Sequence, residues 1–153
     1  MVWSGPAIPI HEAEWLAALH ELSLCCAGDA PDEASDRTRE LNQLLSRAPD
    51  ISMVHGLRVL GLAPLEAMLR AHAAEAAIMA MFQHGASYMV SRGGDGQSLA
   101  TVVLPNSHRE QSGAGATPAL ALIGAVALSL AHGPIGVRVP ARRVPAHRRA
   151  VFH

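Results

Sequence analysis

The chain has 153 residues, enough for one ordinary domain or for a helical hairpin plus a small second lobe. Half of the residues are hydrophobic and 16% are charged, which excludes wholesale disorder and permits a packed core. The formal net charge of −1 is split unevenly: seven Arg against 13 acids give −6 over residues 1–132, and five Arg give +5 over 133–153.

Aromatic residues make up only 3% of the chain, so its core has to come from Leu, Val, Met and many Ala. Residues 11–27 read as a first helix. Trp15, Leu16, Leu19, Leu22 and Cys26 recur at three- and four-residue steps and share one face. Gly28-Asp29-Ala30-Pro31 stops it. A second helix starts near Asp32, with Asp32, Glu33 and Asp36 suiting its positive end, and runs through Leu41, Leu44 and Leu45. The two form an antiparallel hairpin with a short acidic turn. Pro49 predicts a kink or restart at Ala48-Pro49-Asp50, because an internal proline costs a helix about 3 kcal/mol. A further helix is expected from Pro64 to about Gln83, with Leu65, Met68, Leu69, His72, Ala76, Met79 and Phe82 as its apolar stripe.

The pattern then changes. Residues 86–92 and 98–104 read as strands around the tight turn Gly93-Gly94-Asp95-Gly96. Residues 105–116 read as a polar loop. Thr117 caps, and Pro118 opens, a helix that is apolar almost all round and so belongs against a sheet. Residues 135–139 alternate enough for a third strand. The expected fold is α+β, an N-terminal antiparallel helical hairpin followed by a small lobe with a helix on an antiparallel sheet. The expected regions are 1–83 (helical, dimerisation-type), 84–139 (the α+β lobe) and 140–153 (a basic Pro/Arg tail).

Several residues could carry chemistry. Gly113, Gly115 and Thr117 lead into a helix amino terminus, where backbone N–H groups attract anions. That segment has neither the third glycine of a dinucleotide loop nor the lysine of a P-loop. His72 and Glu75 lie three apart on the expected third helix, but a metal site needs at least one more ligand and the sequence names none. No metal or other cofactor is expected. Ser107, His108 and Glu110 are too close in sequence for ready nucleophile-to-base geometry. His11 and His20 lie on the first helix. The adjacent Cys25 and Cys26 cannot readily close a disulfide and fit a reducing cytoplasm. The most apolar stretch, residues 118–131, is short of the ~20 residues a membrane span needs, and no secretory leader is evident. Neither a membrane nor, given Pro134, Pro140 and Pro145 in the basic tail, a nucleic-acid partner is expected.

Taken in order, the segments resemble the HWE-type and related sensor histidine kinases over most of the chain. Ile51-Ser52-Met53-Val54-His55 is similar to the Ile-x-x-Val-His-like end of their second hairpin helix, and Pro64-Leu65-Glu66-Ala67-Met68-Leu69-Arg70 to the segment that follows. The strands ending at Leu104-Pro105 look like the opening of their ATP-binding lobe. Residues 118–133 resemble the helix that supplies a magnesium-binding Asn. The resemblance implies a homodimer formed through the hairpin, a response-regulator or kinase partner, and a phosphoacceptor near the start of the first helix.

The departures define what is missing. His11 is the candidate phosphoacceptor, yet Glu12-Ala13-Glu14 follows it in place of the usual motif, and another alignment sets Trp15 at that position. Gly124-Ala125-Val126-Ala127 occupies the region of the expected Asn and Glu, so magnesium and triphosphate lose their ligands there. The expectation is a kinase-like scaffold without ATP-dependent activity of its own. The alternatives are a small-molecule or anion sensor built on Gly113, Gly115 and Thr117, and a phosphotransfer protein using His11.

Overall fold

The first helix, α1 (Glu12–Gly28), starts with Glu12 and Glu14 in its first turn, where carboxylates complement the helix dipole. A computed structural model of the chain describes residues 10–105, 107 and 109–133. The strand expected at 135–139, the basic tail and His108 lie outside the described residues. A short 3-10 turn at Pro31–Glu33 reverses the chain into α2 (Ala34–Ser46). The two helices form the expected antiparallel hairpin. Trp15 Nε1 near the start of α1 donates to the Leu44 carbonyl near the end of α2 (2.8 Å), and Arg37 of α2 meets Asp29 just past α1 (2.6 Å).

Helix α2 stops before Pro49, as expected, and a second 3-10 turn follows at Ile51–Val54, capped by Asp50 accepting from Ser52 N–H (3.1 Å). The extended stretch after it is pinned on both sides. Asn42 of α2 donates to the Leu60 carbonyl (3.0 Å) and accepts from Leu60 N–H (2.8 Å), while Arg58 N–H donates to the Met81 carbonyl (2.8 Å).

The long helix expected over 64–83 is instead two, α3 (Leu62–Arg70) and α4 (Ala74–Met81). The break sits at His72, the single non-glycine residue with positive φ (58°) among the described residues. Ala73 N–H donates to the Met68 carbonyl (2.9 Å) and His72 N–H to that of Leu69 (3.0 Å), which together make a Schellman ending. An uninterrupted apolar stripe conceals such an ending when the left-handed position is not glycine.

Strands β1 (Ser87–Arg92), β2 (Ser98–Val103) and β3 (Gln111–Gly115) form one antiparallel meander in the order β1-β2-β3. The expected tight turn joins the first two: Gly93 N–H donates to the Gln97 carbonyl (2.8 Å), and Asp95 accepts from Gln97 N–H (3.0 Å). β3 replaces the loop expected at 105–116. Its sequence, Gln-Ser-Gly-Ala-Gly, has no apolar alternation to announce a strand. Pairing in register puts Ser98, Ala100 and Val102 of β2 on one face with Val90, Gly113 and Gly115. Leu99, Thr101 and Val103 lie on the other with Met89, Ser112 and Ala114.

Helix α5 (Pro118–His132) seals the first of these faces. Its other side packs on α1 and α2, so it is buried from Ala119 to Ala127. The architecture is therefore α+β in layers, with α5 lying between the sheet and the N-terminal hairpin. The hydrophobic core is one cluster running from Trp15 and Leu19 through Leu41 and Ile78 to Val102 and Leu130. Secondary structure changes near residue 83, but the core crosses that point without a seam. Among the described residues, no helix is long and apolar enough to cross a membrane.

Candidate functional site

Helix α1 carries two stripes. Trp15, Leu19, Leu22 and Cys26 are fully buried toward α5 and α2. Ala13, Ala17, His20, Leu24 and Ala27 recur at steps of four, three, four and three, and all five are exposed. At about 100° per residue this second stripe lies roughly opposite the first. Leu24, its one large apolar residue, is 60% exposed. Alternating steps of three and four are the spacing by which one helix meets another. The stripe was legible in the sequence but hidden behind the more apolar face containing Trp15.

His11 is the residue before the first turn of α1. It is exposed, and its side chain makes no capping hydrogen bond. An anionic group on its ring would lie beside the positive end of the helix. The residues that resemblance groups with it are not gathered around it. Ser23 and Cys26 of α1 approach Gly124 of α5, while His11 lies about 20 Å further along the same helix. Gly124, Ala125, Val126 and Ala127 are buried between α1 and the sheet. No carboxylate or amide side chain occurs anywhere on α5.

The segment holding Gly113, Gly115 and Thr117 has a packing role. A Cβ on Gly113 would come within 2.6 Å of both the Ala121 carbonyl oxygen and the Ala125 nitrogen. On Gly115 it would lie 2.8 Å from Leu120 Cβ. The two glycines let α5 lie directly on β3. Thr117 Oγ1 accepts from Leu120 N–H (3.2 Å), which occupies one of the donors an anion would use. The expected anion loop is thus a strand, a helix cap and a close helix-to-strand contact.

The other candidates also separate. His72 ends α3 and Glu75 lies on α4, so they do not share one helix face. No group of three or more His, Cys, Asp or Glu side chains among the described residues is placed to hold a metal. Ser107 is buried and accepts from Arg109 N–H (3.2 Å), a local turn contact. Cys26 is buried in the core. Burial, with the Asp29 carboxylate second, pushes its thiol from 9.0 up to about 12.

Two surface features remain. The sheet face turned away from α5 exposes Met89 (67%) and Leu99 (51%) around the Thr101–Ser112 hydroxyl pair (3.2 Å). At the far end of α5 a small pit of about 10 Å³ is bordered by Ser52, Met53, His55, Leu104, Ser107 and Ser129. His55 of the Ile-x-x-Val-His-like segment therefore borders the same pit as the exit of β2 and the last turns of α5. The chain matches no family model, no curated protein and no solved structure.

Proposed function

We propose that the chain is a two-component-type signalling scaffold of histidine-kinase-like layout. It acts by pairing with a second copy and engaging a receiver-type or kinase partner, with no ATP-dependent phosphorylation of its own. The observation that carries this reading is the exposed stripe Ala13, Ala17, His20, Leu24 and Ala27 on α1. Leu24, 60% exposed on the outside of a helix already packed on its inner side, is the member of that row with substantial apolar area left to bury. The small side chains of Ala13, Ala17 and Ala27 let a second helix approach closely, with Leu24 as the large apolar contact. The limited area that Ala side chains bury suits a reversible pair.

The order of hairpin and then helix-on-sheet lobe supports the kinase-like layout. The apolar run Gly124-Ala125-Val126-Ala127 supports the lack of ATP chemistry, since these side chains offer no oxygen or amide to magnesium or phosphate. The free thiols Cys25 and Cys26 suit a reducing, cytoplasmic setting. His11, exposed at the start of α1, is where a phosphoryl group would be accepted if the chain relays one.

Sedimentation of the purified protein is expected to show a dimer in reversible equilibrium, and Leu24→Glu to shift it to monomer with an unchanged helical circular-dichroism spectrum. A wild-type chain that stays monomeric overturns the pairing. Incubation with ATP and magnesium is expected to leave no acid-labile phosphate on the chain. Stoichiometric phosphate would overturn the inactive reading.

A further inference from the structure

Among the described residues two buried hydroxyls have no hydrogen-bond partner, Ser98 Oγ on β2 and Ser129 Oγ on α5. Their surroundings differ. Ser98 faces α5 from the inner side of the sheet, opposite Gly115, and is not among the residues that border the pit at the end of α5. Ser129 is 4% exposed and borders the pit at the end of α5, together with Ser107 (9% exposed) and His55. A buried hydroxyl without a partner is unfavourable, and a polar cavity beside it is the usual place to find one.

The size of the pit limits what can enter. Its interior space of about 10 Å³ is at the lower end of the roughly 10–15 Å³ that holds a single water. That inner space suits a single water better than a phosphate or an organic metabolite. We infer that the pit is a binding site for one ordered water, held by Ser129 Oγ as donor. Ser107 can serve as a second partner. Its Oγ accepts from Arg109 N–H (3.2 Å) and donates to the Arg109 carbonyl (3.4 Å), which leaves one lone pair to accept from the water. Ser52 and His55 border the same space. The water then ties together three segments distant in sequence: the 3-10 turn at Ile51–Val54, the exit of β2 and the last turns of α5.

The sign of one substitution separates a hydrated hydroxyl from an orphan. Ser129→Ala is expected to lower the melting temperature by about 2–4 °C, although alanine is the better helix former. Ser98→Ala, which removes an unpartnered hydroxyl, is expected to leave it unchanged or raise it. A high-resolution crystal structure of the unmodified protein is expected to show one water within hydrogen-bond distance of Ser129 Oγ. Density without that water, a larger molecule in the pit, or a Ser129→Ala protein that melts higher than wild type would each overturn the assignment.

Discussion

At the scale of single residues, the glycines show how local chemistry sets the fold. Gly113 stands where its own Cβ would strike the α5 backbone at 2.6 Å, and backbone cannot move aside as a flexible side-chain end can. Gly94, in the turn between β1 and β2, has nothing within 4 Å. Gly113→Ala is therefore expected to cost about 3 kcal/mol in urea unfolding, while Gly94→Ala changes stability by less than about 0.5 kcal/mol. Equal effects would show that α5 does not lie on β3 as described. Cys26 provides a second residue-scale expectation. Its folded thiol is raised to about 12 from 9.0, so the folded state holds its proton while the unfolded chain releases it. The stabilisation is present in full below pH 9 and is lost between 9 and about 12, at up to about 1 kcal/mol per pH unit. Cys26→Ala should flatten that alkaline decline. A thiol reagent at neutral pH should modify the half-buried Cys25 and reach Cys26 only on unfolding.

At the scale of elements, what the sequence displayed and what it concealed follow from how each element advertises itself. The hairpin was legible because Trp15, Leu19, Leu22 and Cys26 repeat with helical spacing and Gly28 and Pro31 punctuate it. The β1–β2 hairpin was legible from Asp95-Gly96 between two apolar runs. β3 was not, because its glycines answer to the backbone of α5, a partner that no local pattern reveals. The same glycines, read locally, suggested an anion loop, and only the approach of α5 explains them. The outward row on α1 could have been found from its spacing, but nothing local distinguishes an exposed row from a second buried one. The division between α3 and α4 was hidden by His72, which takes a backbone conformation usually left to glycine. Left-handed geometry costs a non-glycine residue about 1–2 kcal/mol. His72→Gly is accordingly expected to raise unfolding stability by about 0.5–1 kcal/mol after the entropy of the more flexible unfolded chain is counted. His72→Val, branched at Cβ, should lower it. A destabilising glycine would mean that the His72 side chain holds the turn by a contact worth more than the strain.

At the scale of the whole molecule, the position of α5 decides how the chain behaves. A helix buried on the sheet side and on the hairpin side couples the two halves, because each covers what the other would expose. The inner stripe of α1 ends at Cys26, whose Cβ lies 3.7 Å from where a Cβ on Gly124 would sit, and Gly113 Cα is 3.9 Å from that same point. Hairpin, helix and sheet are thus in near contact through one residue. The chain is expected to unfold as a single cooperative unit. In a Trp3→Phe background, Trp15 fluorescence reports the hairpin and far-ultraviolet circular dichroism reports all elements. The two should give one urea midpoint. A chain ending at residue 83 keeps α1 to α4 but leaves Trp15, Leu19, Leu22 and Cys26 without α5, so it should show no cooperative transition. Separate midpoints, or a folded fragment, would make the hairpin an autonomous module. Pairing through the outer stripe would then occur without involving the sheet. If instead the transition is single, the outer stripe of α1 and the open sheet face with Met89 and Leu99 belong to one cooperatively folded body.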